Sequence, residues 1–168
     1  MAGGAKLAGG GPLIEIGIYP VQAACMAAGG AAPVAVTASE RPKQHPEVFR
    51  DVEEGIEWAM DFAGGARGDF STSYNDTLNK FRAEAARGWI EFNPAYSYAG
   101  LRAVTHAGPL NLVVPSSQQA VQMDDFARCV RDDLSTRVPG EMGRRDMVII
   151  EAIYASAAQG GKRVEIAV

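Results

Sequence analysis

The sequence has little cysteine, little histidine and no concentration of basic charge. Its 168 residues include two cysteines and two histidines, and the formal net charge is -4. Cys25 and Cys129 stand in apolar surroundings without CxxC spacing, and His45 and His106 lack the spacing of metal ligands. We therefore predict two small core cysteines and no metal site. The evenly spread negative charge argues against a nucleic-acid or anionic-membrane partner.

Long hydrophobic runs are also missing. No stretch approaches the roughly 20 apolar residues that a membrane-spanning helix needs. No charged segment followed by an apolar core marks a signal peptide at the N-terminus, so we expect a cytoplasmic protein with no membrane partner. With 47% hydrophobic and 21% charged residues, the composition is typical of a globular protein. The length predicts one domain, residues 1–168.

The middle of the chain alternates as half-buried strands do. Residues 55–62 place Ile56, Trp58 and Met60 on one face. Gly64 and Gly65 follow as a hairpin signal, because both central positions of a primed turn need positive φ. Similar patterns predict further strands at 32–40, 66–74, 81–85, 89–92, a segment ending near His106, 110–114 and 164–167. The short connections predict antiparallel pairing.

Helical patterns occur near both ends. The first follows the glycines at 9–11, and Pro20 inside it predicts a kink or a break that makes Pro20 the first residue of a second segment. Ser116 and Gln119 have capping-box spacing before a helix, and another helix is expected at about 144–158. The stripe of the middle helix comprises Met123, Phe126, Ala127, Val130 and Leu134. Together the patterns predict an α+β fold, an open, mostly antiparallel sheet with helices packed on one face.

Glu15 and Tyr19 are the candidate functional pair. Their spacing of four residues places both side chains on one face of a helix, one turn apart. The spacing alone favours a structural explanation, with Glu15 placed in the first helical turn by the backbone dipole and Tyr19 an amphipathic core residue. That alternative predicts Tyr19 buried against Ile153 or Tyr154. It also predicts Glu15 paired with a fixed base such as Arg102 or Lys162.

The order of residues in GGGPLIEIGIYP, residues 9–20, resembles a known signature. It is similar to G-G-G-x-L-x-D-x-G-x-[HY], found in the second domain of the glucose-fructose oxidoreductase and inositol dehydrogenase family. Glu15 stands where the family has Asp, and the matching residues are Gly9, Gly10, Gly11, Leu13, Gly17 and Tyr19. Residues 88–100 and 139–166 also resemble segments of that domain. The resemblance covers most of this chain but only the second half of a family member.

The resemblance implies hydride transfer between a sugar or polyol and NAD or NADP, which a separate upstream domain would hold. Tyr19 would relay the proton of the reacting hydroxyl, helped by a lysine of the missing half, and Glu15 would orient the sugar or that lysine. Gln22 and Gly17 are assigned to substrate binding, although a surface glutamine is a simpler account of Gln22. No cofactor site is expected in this chain, because residues 9–11 lack the preceding strand of a dinucleotide fingerprint.

Two functions remain open at this point. The chain is either the substrate-binding and oligomerisation domain of a sugar or polyol oxidoreductase, inactive alone, or a stand-alone carbohydrate-binding or assembly module. Gly17 and Tyr19 favour the first function, and Glu15 in place of Asp favours the second. In the family, subunits meet at this domain's sheet, which implies a homo-oligomer formed through the sheet face that carries no helices. The alternative is that this sheet face is solvated and carries only scattered apolar residues.

Overall fold

The computed structural model describes residues 9–167, which contain three α-helices, a π-helical turn and eight strands. The elements in chain order are the π turn Leu13–Gly17, α1 (Ile18–Ala27), β1 (Ala35–Glu40), β2 (Gly55–Asp61), β3 (Arg67–Ser73), β4 (Phe81–Ala85), β5 (Gly88–Phe92), β6 (Ala103–Thr105), β7 (Gly108–Leu110), α2 (Gln118–Asp132), α3 (Gly140–Ala158) and β8 (Val164–Glu165). Two open four-stranded sheets have the orders β3-β2-β1-β8 and β4-β5-β6-β7, and neighbouring strands pair antiparallel. The predicted α+β class is confirmed.

The chain divides into two compact units by its contacts. Unit 1 comprises Met1–Leu78 and Arg144–Val168, and unit 2 comprises Asn79–Gly143. The sheet β3-β2-β1-β8 belongs to unit 1, and the sheet β4-β5-β6-β7 belongs to unit 2. Glu15 and Tyr19 both lie in unit 1.

The core of unit 1 lies between its sheet on one side and the π turn, α1 and α3 on the other. Strands β1 and β2 direct Val36, Ile56 and Met60 to the covered face, where each is fully buried. The π turn, α1 and α3 fill the space above them with Leu13, Val21, Cys25, Ile149, Ile150 and Ile153. The alternation of β2 and its hairpin with β3 are confirmed, and Gly64 and Gly65 have φ of +83° and +88°.

Pro20 lies in the first turn of α1. The preceding residues form the π turn, and regular α-helix begins at Ile18. Gly17 and Ile18 both keep right-handed helical φ and ψ, so the π turn runs into α1 without a break. Pro20 is the third residue of α1 and not the first residue of a second segment, and the departure from regular α-helix is the π turn before it.

Unit 2 departs most from the sequence-based prediction. The N-cap of α2 is Ser117 and not the expected Ser116. The Ser117 hydroxyl accepts a hydrogen bond from the Ala120 N–H at 3.2 Å. Strand β7 is Gly108–Leu110, so the strand expected at 110–114 was misplaced. The apolar stripe predicted for α2 is present on the helix, but most of it is exposed in this chain. Its exposed members are Met123, Phe126, Val130 and Leu134.

Candidate functional site

The glycine-rich turn before the π turn is held by a buried carboxylate. Glu53, 3% exposed, accepts hydrogen bonds from the Gly11 N–H at 3.2 Å and the Leu13 N–H at 3.0 Å. The Tyr154 hydroxyl donates to the same carboxylate at 2.9 Å. Burial, and then the Glu53 carboxylate, raise the pKa of Tyr154, so this phenol stays protonated and remains a donor. The π turn and α1 together form one helical segment, and Glu53 fixes where that segment begins.

Two glycines of the signature allow the backbone to pack closely. A Cβ on Gly11 would lie 2.3 Å from the Glu53 carbonyl oxygen, and a Cβ on Gly17 would lie 2.9 Å from Leu13 Cδ1 and 3.4 Å from the Trp58 ring. Any side chain at these positions would push the helical segment away from Glu53 or from the sheet. The structure thus places Gly17, a predicted substrate-binding residue, on the buried side of the π turn.

Glu15 and Tyr19 lie on the accessible side of the same helical segment. Tyr19 is 52% exposed, and Glu15 is exposed as well. The Tyr74 hydroxyl donates a hydrogen bond to Oε2 of Glu15, and the Tyr74 ring stacks on Phe49 with centroids 5.6 Å apart. Tyr19 is therefore not the buried core residue that the structural alternative predicts, and Glu15 has a phenol as hydrogen-bond donor.

Gln22 belongs to a separate network that joins α1 to α3. Its side-chain oxygen accepts a bond from Nη2 of Arg145 at 2.5 Å, and Arg145 also donates to Asp146 and to the Gly30 carbonyl. The side chains of Arg145 and Asp146 are 13% and 7% exposed, so this is a largely desolvated ion pair. The structure gives Gln22 a helix-joining contact.

A second buried carboxylate organises the loop before β2. Glu54, 1% exposed, accepts from the N–H groups of Gln44 and His45 and from the Asn75 amide. Burial opposes ionisation of Glu54, but the bonds from His45, Asn75 and Gln44 outweigh it and lower the pKa. Glu54 thereby ties the loop to the end of β3.

Sequence reasoning missed four of these residues, namely Glu53, Glu54, Tyr74 and Tyr154. The available signal was the pair of adjacent carboxylates directly before the buried strand β2. Buried carboxylates need donors, and the nearest unsatisfied donors in an α+β fold are loop and helix-start N–H groups. Which donors they would meet was not readable, because Gly11 and Tyr154 lie far from Glu53 along the chain.

The glycine-rich turn does not fit the pyrophosphate of a dinucleotide. Such a cofactor needs the backbone N–H groups at a helix start, and here the N–H groups of Gly11 and Leu13 already bond to Glu53. A phosphate at this place would meet a buried carboxylate of the same charge. The N–H groups of Gly11 and Leu13 are therefore occupied and do not form a phosphate site.

Residues 9–167 contain neither a candidate metal cluster nor a candidate membrane span. In that range no three His, Cys, Asp or Glu side chains are grouped so that they could hold a metal ion. Nor is any helix in that range long and apolar enough to cross a membrane. Cys25 and Cys129 are both buried and free, as predicted.

The structure is similar to solved oxidoreductases along nearly its whole length. The aldose-aldose oxidoreductase from Caulobacter crescentus, complexed with glycerol, is 34% identical with a TM-score of 0.89, over 96% of this chain and 49% of that chain. GenD2 from gentamicin A biosynthesis, in complex with NAD, is 22% identical with a TM-score of 0.74, over 99% of this chain and 51% of that chain. The WlbA dehydrogenase from Bordetella pertussis, in complex with NADH and UDP-GlcNAcA, is 17% identical with a TM-score of 0.61, over 95% of this chain and 46% of that chain.

The chain thus spans about half the length of the proteins that it resembles. The last two similarities, below 25% identity, show a shared fold alone. The model of the GFO/IDH/MocA C-terminal domain matches residues 3–91. That match covers more than half of the sequence and includes the complete glycine-rich signature, and the chain therefore belongs to the GFO/IDH/MocA family.

Proposed function

We propose that this chain is the substrate-binding and oligomerisation domain of an NAD(P)-dependent oxidoreductase that acts on a sugar or polyol. On its own it is inactive, because the nicotinamide is held by a nucleotide-binding domain outside residues 1–168. The whole chain, both units included, acts as the second domain of that enzyme. The observation that carries the proposal is the joint exposure of Glu15 and Tyr19 on the accessible side of a helical segment whose start is fixed by Glu53.

Tyr19 moves the proton and Glu15 orients the substrate. When a sugar carbonyl is reduced, the Tyr19 hydroxyl donates its proton to the carbonyl oxygen, and in the reverse direction the phenolate takes the proton back from the hydroxyl. Hydride transfer to or from the carbonyl carbon would be the chemistry of a nicotinamide bound by the nucleotide-binding domain. Glu15 accepts a hydrogen bond from another hydroxyl of the substrate. A relative complexed with the polyol glycerol supports this substrate class.

The uncovered face of the unit 1 sheet supports the oligomerisation role. On this face Ala59 lies between Thr37 and Asp69 of the neighbouring strands. Small and polar side chains line a shallow, open depression there, among them Thr37, Ser39, Glu57, Ala59, Asp69 and Ser71. Small side chains allow another sheet face to approach closely. We assign this face to a second copy of the chain.

A chimera tests the proposed function. The nucleotide-binding half of the Caulobacter aldose-aldose oxidoreductase, fused upstream of this chain, should give reduction of NAD or NADP that depends on an added aldose or polyol. The chain without the fusion should give none. NAD(P) binding and cooperative unfolding of the chimera are measured first, so that a folded, cofactor-binding chimera without turnover on any aldose or polyol would overturn the proposal.

A further inference from the structure

Tyr74 is fixed in place more firmly than its partner Glu15. It follows β3 directly, its N–H donates to the Glu54 carbonyl at 3.1 Å, and its ring stacks on Phe49, which is 9% exposed. Glu15 lies on the exposed side of the π turn, and a solvated glutamate side chain has several rotamers of similar energy. The hydrogen bond between them therefore restricts Glu15 much more than it restricts Tyr74.

The direction of donation is also fixed. Burial, and then the hydrogen bond and charge of Glu15, raise the pKa of Tyr74, so its hydroxyl stays protonated and donates to the carboxylate. The bond uses Oε2 of Glu15. A carboxylate has a second oxygen with its own lone pairs, and Oε1 is the atom that we assign to the substrate hydroxyl.

We propose that Tyr74 is the positioning residue for Glu15, and that it allows a glutamate to serve where the family signature has aspartate. Glutamate carries one more methylene and one more rotatable bond, so an unrestrained Glu15 carboxylate would miss the substrate by about 1 Å in many of its rotamers. The phenol of Tyr74 selects one rotamer and directs Oε1 outward. This inference rests on the proposed function, because it assigns a role to Glu15 in substrate orientation.

Steady-state kinetics of the chimera with the Caulobacter nucleotide-binding half test whether Tyr74 positions Glu15. Tyr74→Phe should lower kcat/KM for the sugar by about 10-fold to 100-fold, while the KM for NAD(P) stays unchanged. If Tyr74 acts through Glu15, the same substitution made in a Glu15→Ala background should cost no more than about twofold further, because the acceptor of its hydrogen bond is already absent. Tyr98→Phe, a matched change at a tyrosine that is 72% exposed, should leave both constants unchanged.

Two results would overturn the positioning role. One is a Tyr74→Phe enzyme with the kcat/KM of the parent. The other is an equal loss from Tyr74→Phe in the parent and in the Glu15→Ala background, since that would show an effect on the fold at large and not through the carboxylate.

An NMR measurement at neutral pH separates this inference from the proposed function, because it needs neither cofactor nor substrate. In the 168-residue chain, with tyrosine labelled at Cζ, Glu15→Ala should shift the Tyr74 Cζ resonance, because its hydroxyl loses a charged acceptor, and leave that of Tyr154, which bonds to Glu53, unchanged. An unchanged Tyr74 would overturn the contact and the inference with it. A shifted Tyr74 together with an inactive, cofactor-binding chimera would support the contact and overturn the proposed function alone.

Discussion

Two buried carboxylates determine the local order around the candidate site. Glu53 and Glu54 follow each other in sequence, and one holds the start of the helical segment while the other holds the loop before β2. A hydrogen bond to a charged group contributes about 1.5–3 kcal/mol. The loss of the Glu53 carboxylate would also leave buried donors at Gly11 and Leu13 without a partner. Such residues support a site without touching its substrate.

Residue by residue, the sequence was informative where the signal is local. The spacing of Glu15 and Tyr19 predicted that both lie on one face of a helix, and the structure shows that this face is accessible. The Tyr74 hydroxyl that meets Glu15 lies 59 positions further along the chain, and no local pattern relates residues at that separation. The glycines of the signature were recognisable as a motif. Their physical reason, close approach to Glu53 and to the sheet, needed the structure.

Tyr96 gives a prediction on pH dependence. Burial raises the pKa of Tyr96 to about 12, whereas a tyrosine in the unfolded chain titrates near 10. The unfolded state therefore loses its proton first. The stability that Tyr96 contributes is present in full below about pH 10 and is lost as the pH rises through about 12.

The urea midpoint should accordingly fall above pH 10, and less steeply in Tyr96→Phe than in the parent. Tyr98→Phe, the same change at an exposed tyrosine, serves as the control. Equal slopes for Tyr96→Phe and the parent would contradict the assignment.

Among the elements, helices α2 and α3 carry similar apolar stripes with opposite burial. Ile149, Ile150 and Ile153 of α3 are at most 1% exposed, whereas Phe126 and Val130 of α2 are 58% and 70% exposed. The stripe of α2 was predicted correctly as a pattern. Its burial was not, because a helical period identifies an apolar face without identifying what covers it. The exposed face of α2 consequently adds little to the stability of this chain.

The two helices should respond differently to the same kind of truncation. Ile150→Ala should lower the free energy of unfolding by about 2–5 kcal/mol, as expected for a large core residue. Phe126→Ala should change it by only about 0.5 kcal/mol, as expected for an exposed position. Urea denaturation of both variants measures the difference. A cost for Phe126→Ala as large as that for Ile150→Ala would show that the face of α2 is buried in solution.

The fold of unit 1 and the β4–β5 hairpin of unit 2 were largely predictable, whereas the rest of the unit 2 sheet was not. Strand β2 combines a clear period of two with a Gly-Gly turn, so its faces and its hairpin followed from sequence. Strands β6 and β7 have three residues each, which is too short for a period to be counted. The π turn before α1 was also beyond prediction, since proline indicates where a helix is interrupted without specifying the geometry of the interruption.

For the whole molecule, the uncovered sheet face of unit 1 predicts self-association. Ala59→Arg places a long cation in the depression between Thr37 and Asp69 and should shift the protein from a dimer or larger species toward monomer. Light scattering measures the mass. Ala27→Arg at the exposed end of α1 is the matched control and should leave the mass unchanged. An Ala59→Arg protein of unchanged mass and urea midpoint would count against this face as the interface.

The central claim is that Tyr19 transfers the substrate proton in a sugar or polyol oxidoreductase, and one variant of the chimera tests it most directly. Tyr19→Phe should lower turnover by roughly 100-fold to 10,000-fold, the usual loss when a proton-transfer group is removed. Because Tyr19 is 52% exposed, the same change should lower the free energy of unfolding by no more than about 1 kcal/mol. Turnover and urea midpoint are measured on the same preparation. Near-normal turnover in Tyr19→Phe, or a loss of turnover that is explained by unfolding, would contradict the account.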